Sequence, residues 1–189
     1  MNKLQSLKNL KDWDFNVPNF IEYDRSWTVP KLLEKFGRSR LAVRSCLRNE
    51  GIVNFGCPFI YDIPAEDTQA FATKTFEQGY IVIIYEYVPK EWSLISGHIQ
   101  FDVDLSGFYE VYRGTGVVRD IMTKTADEME HAAFSYKNAV RDVDIRGVVE
   151  EAADIVLFER KPLIVEFSLG SEVAGTKQEL LVFWEYRYV

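Results

Sequence analysis

The sequence predicts an α+β fold, with a small amino-terminal lobe and a larger antiparallel one, and three observations predict it. The run Tyr80-Ile-Val-Ile-Ile-Tyr-Glu-Tyr-Val88 is apolar almost throughout and stops at Pro89, as a strand covered on both faces does. Two apolar runs near the end of the chain, Pro162 to Ser168 and Leu180 to Arg187, follow one another as the arms of an antiparallel hairpin. Segments of helical periodicity flank this β-rich middle on both sides. Residues 1–88, up to the end of the apolar strand, are assigned to the first lobe and 89–189 to the second.

The elements follow in order. Leu4, Leu7 and Leu10 mark a short amphipathic helix ending near Asp14, and Val17 to Tyr23 reads as an edge strand because of Pro18. Thr28 then caps a helix over Val29 to Phe36, with Pro30 in the first turn, where a missing N–H is harmless, and Gly37 as the stop. Arg40 to Ser45 alternates as a strand, and Asn49 to Gly56 is a turn-rich loop. A helix is expected over Ala65 to Gln78, with Ala70, Phe71, Thr75 and Phe76 facing inward and Gly79 ending it. After the apolar strand, Ser96 to Asp104 alternates outward His98, Gln100, Asp102 and Asp104 with inward Ile99, Phe101 and Val103. Phe108 to Tyr112 is its partner, Val117 to Met122 a further short strand, Thr125 to Tyr136 a polar helix and Ile145 to Glu159 a more amphipathic one.

Composition narrows the function classes. With 189 residues and 47% hydrophobic content the chain can bury a full core, and 14% aromatics argue against disorder. A net charge of −7 disfavours nucleic acid and anionic membranes as partners, while leaving room for a local basic pocket. Cys46 and Cys57 have no second pair and no histidine near them, so neither a zinc site nor a disulfide scaffold is indicated and both thiols are expected free and packed. Without a signal-like amino terminus or a run of 18 apolar residues, a cytoplasmic protein is expected.

The closing hairpin carries charge where strands usually bury apolar groups. Alternation sets Glu166 and Ser168 on one face of the first arm, and Glu185 and Arg187 on one face of the second. With those faces matched, two carboxylates and a guanidinium converge, and like charges on a sheet face need a cation between them. A divalent metal carrying a phosphate is one such cation, with Arg187 placed for the phosphate. An internal salt bridge from Arg187 or Lys161 to either glutamate, on a solvated face, meets the same demand.

Several segments occur in a recognisable order. Ala42-Val-Arg-Ser45, followed by Asn49, Glu50, Asn54 and Phe55, resembles the "AVRSS…ED…SFAG" segment of the nucleotide-binding domain of pyruvate phosphate dikinase and phosphoenolpyruvate synthase. Tyr85-Glu-Tyr-Val-Pro89 looks like the hinge of the ATP-grasp superfamily, and Ser96-Gly97 with Phe101 and Gly107-Phe108 is similar to the stretch that follows it. Val165-Glu-Phe-Ser168 and Trp184-Glu-Tyr-Arg187 stand where that family has "DIEW" and "QARP". The resemblance is discontinuous and covers about residues 40 to 189.

The resemblance implies an ATP-grasp-like fold, a small amino-terminal lobe plus a larger antiparallel sheet flanked by helices, with ATP and Mg2+ as ligands. It assigns catalytic roles to Arg44 and Arg187 on the polyphosphate, and cofactor binding to the backbone of Glu86, Tyr87 and Val88 at the adenine edge and to Ser96 and Gly97. Glu166 and Glu185 become the metal ligands. Glu185 replaces the family's glutamine, which matches other ATP-grasp enzymes with two acidic positions, and Ser168 stands where many use asparagine. Read without the family, Arg44 is a surface arginine paired with Glu50 or Asp62, and His98 and His131 are ordinary boundary histidines.

The departures are equally specific. The family's lysine-bearing "GGKGANL" element has no counterpart in residues 1–39, and no counterpart of the carrier domain with its phosphorylated histidine is expected within residues 1–189. Two classes of function follow. One is a magnesium-dependent phosphotransferase or ligase-like enzyme, or a fragment of one, with an unknown small-molecule or protein acceptor. The other is a non-catalytic nucleotide-binding or interaction protein that keeps the fold, with Trp13, Trp27, Trp92 and Trp184 available for assembly, self-association included.

Overall fold

The computed structural model describes residues 1–37, 40–48, 56–89, 92–114, 128–135, 140–170 and 181–189, and these divide into two compact units. Unit one comprises Met1–Lys8 and Pro18–Val88; unit two comprises Asn9–Val17 and Pro89–Val189. The expected Asn49–Gly56 loop, but for Gly56, and the expected Val117–Met122 strand lie outside the described residues. The helix α1 (Lys3–Asp12) contributes residues to both units.

Unit one contains β1 (Phe20–Glu22), α2 (Val29–Phe36), β2 (Arg40–Cys46), β3 (Phe59–Pro64), α3 (Ala65–Glu77) and β4 (Ile81–Glu86). Its sheet has the order β1-β4-β2-β3, with the neighbouring strands antiparallel. The apolar run is therefore central, and Val82 to Tyr85 are all buried. α2 keeps its expected limits: Pro30 lies in the first turn, and Gly37 at φ 61 caps the end by donating its N–H to Leu33 O. Leu32 and Phe36 of α2 join Leu41, Val43, Ala72, Val82 and Ile84 in one core cluster.

Two expectations for this unit are corrected. In α3 Thr75 is buried and Phe71 and Phe76 pack against the core as expected, whereas Ala70 is exposed, and Ala65, Thr68 and Ala72 complete the buried face. The strand β3 has no counterpart in the sequence reading; its weakly alternating residues are held by pairing with β2 across a bulge between Leu41 and Val43.

Unit two contains β5 (Ser93–Phe101), β6 (Gly107–Arg113), β7 (Glu130–Phe134), α4 (Val143–Glu159), β8 (Leu163–Gly170) and β9 (Leu181–Tyr188). The sheet order is β7-β6-β5-β8-β9, again antiparallel between neighbours. α4 starts at Asp142, whose carboxylate accepts from the amides of Asp144 and Ile145, and it packs on β5. One sheet face is buried through Ile99, Phe101, Val165, Phe167 and Tyr186, and α4 buries Ile145, Val148, Val149 and Ala152.

β7 corrects the expected helix over Thr125 to Tyr136. Its residues Glu-His-Ala-Ala-Phe have ordinary helix propensity, but pairing along β6 from Val111 to Gly107 satisfies their backbone in the sheet instead. β5 is also displaced: Val103 is 57% exposed in the turn after Phe101 rather than facing inward. β9 is an edge strand among the described elements, yet its edge is covered. Phe183 N donates to Asn16 O at 2.8 Å, and Asn16 Nδ2 donates to Leu181 O.

Candidate functional site

The site is built on the β8–β9 hairpin, where Glu166 and Glu185 are direct cross-strand partners. Arg187, opposite Ile164, shares their face, because residues two apart along a strand point the same way. Its Nη1 lies 2.6 Å from Glu166 Oε1 and 3.9 Å from Glu185 Oε1. Strict alternation along β9 would also put Phe183 on this face. A bulge at Trp184 prevents that: Phe183 pairs with Phe167 while Glu185 stays with Glu166.

The two carboxylates differ in environment. The side chain of Glu166 is 32% exposed and that of Glu185 only 9%. Glu185 Oε2 is buried without a hydrogen bond, although the residue keeps its ion pair through Oε1. In the hairpin the carboxylates converge, and Arg187 pairs with both, as the internal salt-bridge reading expects. Lys161 is not part of this arrangement; its Nζ sits 4.4 Å from the centre of the Tyr188 ring.

The register extends the acidic pair into a row that crosses the sheet. His131, Glu110, His98, Glu166 and Glu185 are successive partners on β7, β6, β5, β8 and β9. His98 Nε2 is 2.9 Å from Glu110 Oε2, and its other cross-strand neighbour is Glu166. Neither histidine stands in a motif, and the outward set beginning at His98 is the only signal in the sequence; the strand register alone reveals which acids it meets.

Beside the row, the Ser96 and Ser168 hydroxyls expected near the ligand bond within the protein. Ser168 Oγ accepts from Trp184 Nε1 at 2.8 Å and lies 2.8 Å from Ser96 Oγ, which lies 2.7 Å from Ser93 Oγ. Ser93, Ser96 and Ser168 are all fully buried. Gly97 has a steric reason: a Cβ there would come within 2.3 Å of Glu110 O, so only glycine lets β5 lie this close to β6.

In unit one, Arg44 lies inside β2 rather than at its end, half-buried opposite Phe59 and Ile83. Asp62 is taken by Arg40, whose Nε donates to its carboxylate. Glu86 ends β4, and Tyr87 and Val88 follow it. The amide of Glu86 donates to Asn19 O at 3.3 Å and that of Tyr87 to Arg40 O at 3.4 Å.

Among the described residues no group of three or more His, Cys, Asp or Glu side chains is arranged to hold a metal ion, and no helix is long and apolar enough to cross a membrane. The acidic pair is a two-ligand arrangement of hard oxygen donors. That suits Mg2+, which is commonly held by one or two carboxylates and completes its shell with water and phosphate.

The architecture is that of an ATP-grasp-like α+β protein. The chain is similar over its full length to D-alanine–D-alanine ligase from Bacillus anthracis, at 19% identity and a TM-score of 0.58, covering 56% of that chain. It is similar over 98% of its length to N5-carboxyaminoimidazole synthetase from Staphylococcus aureus complexed with ADP, at 15% identity and a TM-score of 0.52, covering 43% of that chain. A third likeness, over 97% of its length, is to the macrocyclase MdnC from Microcystis aeruginosa bound with precursor peptide MdnA. There the identity is 9%, the TM-score 0.56 and the share of that chain 51%. The chain therefore spans about half the length of these solved structures. No protein-family model and no curated protein matches it.

Proposed function

We propose that this protein binds magnesium-ATP in the ATP-grasp manner and serves as a phosphotransferase or ligase-like enzyme, or as part of one. The observation that carries the proposal is the opposed pair Glu166 and Glu185 with Arg187 on the same face of the β8–β9 hairpin. Glu166 and Glu185 would hold Mg2+, which supplies charge neutralisation for the triphosphate, and Arg187 would exchange its contact with Glu166 for a phosphate oxygen. Arg44 would meet the polyphosphate, and the backbone of Glu86, Tyr87 and Val88 the adenine edge. Val88 is the amide assigned to adenine, since those of Glu86 and Tyr87 already donate within the unit. Ser96 and Gly97 would support the site by fixing β5 against β8 and β6.

The finer resemblance to the nucleotide-binding domain of pyruvate phosphate dikinase and phosphoenolpyruvate synthase rests on the motif order alone. The acceptor is a small molecule or a protein group that ATP activates, and a cytoplasmic setting fits such chemistry. One observation favours the non-catalytic reading: the 2.6 Å contact of Arg187 with Glu166 engages the guanidinium without any ligand.

Calorimetric titration of ATP with and without Mg2+, on the wild type and on Glu166→Ala, tests the proposal. Magnesium-dependent binding that is lost in the variant is expected. Binding without turnover across a broad acceptor screen would leave the non-catalytic reading, and absence of binding by the wild type would overturn both.

A further inference from the structure

Cys46 and Cys57 occupy positions that the sequence spacing alone does not connect. Strands β2 and β3 pair with Val43 opposite Ile60 and Arg44 opposite Phe59. The pairing carries on by one residue in the hydroxyl of Ser45, which donates to Pro58 O at 2.6 Å. Continued by two residues beyond Arg44 and Phe59, the same register would set Cys46 opposite Cys57. Pro58 has no N–H to continue the ladder, which explains why regular strand pairing ends just before the two thiols meet.

Partners across an antiparallel pair have Cα atoms about 4.5–5.5 Å apart, inside the span of about 4.4–6.8 Å that a disulfide bridges. Burial raises the Cys46 thiol, and Cys57 lies near enough to add to that in the same direction. We propose that Cys46 and Cys57 are a reversible dithiol–disulfide pair, a modification site that fastens the end of β2 to the start of β3 under oxidising conditions.

The two sulfurs have different parts in it. Cys46 is fully buried at the first turn of α1, where the amides of Leu4 and Lys3 donate towards it, and burial pushes its thiol up. Cys57 is half-buried, so it meets the oxidant first. With hydrogen peroxide as oxidant, the Cys57 thiol gives up its proton, the thiolate attacks one peroxide oxygen, the O–O bond breaks, and the departing hydroxide takes up that proton as water, leaving a sulfenic acid. The sulfur of Cys46 then attacks Cys57 Sγ, the S–O bond breaks, and the departing hydroxide leaves as water with the Cys46 proton. Two thiols are oxidised and one peroxide is reduced to two waters.

The test is native oxidation of the full chain with peroxide, followed by alkylation of the remaining thiols and mass spectrometry. The expected result is loss of the mass of two hydrogens, no alkylation, and a linked peptide pair within one chain that dithiothreitol separates. Cys46→Ala should instead accumulate a sulfenic acid at Cys57 that dimedone traps, and Cys57→Ser should leave Cys46 fully alkylatable after unfolding. Retention of both thiols, separate over-oxidation of Cys57 with Cys46 intact, or cross-linking between chains would each overturn the proposal. The wild-type measurement decides it even where a variant fails to fold.

Discussion

Glu166 and Glu185 stand directly opposite one another on adjacent strands, a placement that is unfavourable for two like charges without compensation. Arg187 compensates unevenly, at 2.6 Å from Glu166 but 3.9 Å from the more deeply buried Glu185. Replacing Glu185 by Gln keeps the shape, leaves the close Arg187–Glu166 contact intact and removes the less compensated charge. We expect Glu185→Gln to stabilise the ligand-free chain by about 0.5–1 kcal/mol. On the reading of the pair as a metal site, Mg2+ raises the thermal midpoint of the wild type and leaves that of the variant unchanged. Parallel thermal melts with and without Mg2+ check both statements, and a variant less stable than wild type without Mg2+ would contradict the electrostatic argument.

How far the sequence reveals this arrangement depends on the range of the interactions involved. α2 is legible to the residue because its signals are local: Thr28 before it, Pro30 in its first turn, Gly37 after it. The convergence of Glu166, Glu185 and Arg187 is legible because period-two alternation needs only the hairpin to be assumed. β7 is not, since Glu130 to Phe134 carries no strand pattern and takes its conformation from β6. Nor is the row through His98 and Glu110, which depends on the registers of four strand pairs at once. The bulge at Trp184 is a third such case, because one extra residue in β9 reassigns Phe183 to the opposite face.

The same bulge has an energetic consequence. Trp184 is 8% exposed, and its indole N–H donates to Ser168 Oγ, which also meets Ser96 Oγ in a fully buried chain of hydroxyls. Ser168→Ala removes that acceptor and leaves a buried donor unsatisfied, at a cost of about 1–3 kcal/mol. Adding Trp184→Phe removes the orphaned donor too, so the double variant should lose less stability than the two single losses combined. Urea unfolding of the three variants measures the coupling. Strict additivity would mean that the indole and the hydroxyl do not depend on one another.

Tyr186 supplies a pH-dependent contribution on the opposite face of β9. Its hydroxyl donates to Glu159 and accepts from Asn9 Nδ2 at 2.6 Å, and the residue is almost fully buried. Burial, followed by the hydrogen bond to Glu159, pushes its phenol well above the ordinary value. In the unfolded chain the group ionises near pH 10, while in the folded chain it keeps its proton beyond that point. The folded state then holds more protons than the unfolded one, so stability from this group is fully present below about pH 10 and is lost as pH rises further. Tyr186→Phe removes both the hydrogen bond and this dependence. The wild type should exceed the variant by about 1.5–3 kcal/mol at neutral pH, the range for a hydrogen bond to a charged group. The gap should narrow progressively above pH 10 in urea unfolding measured at a series of alkaline pH values. A gap that stays constant across that window would show that Tyr186 ionises alike in both states.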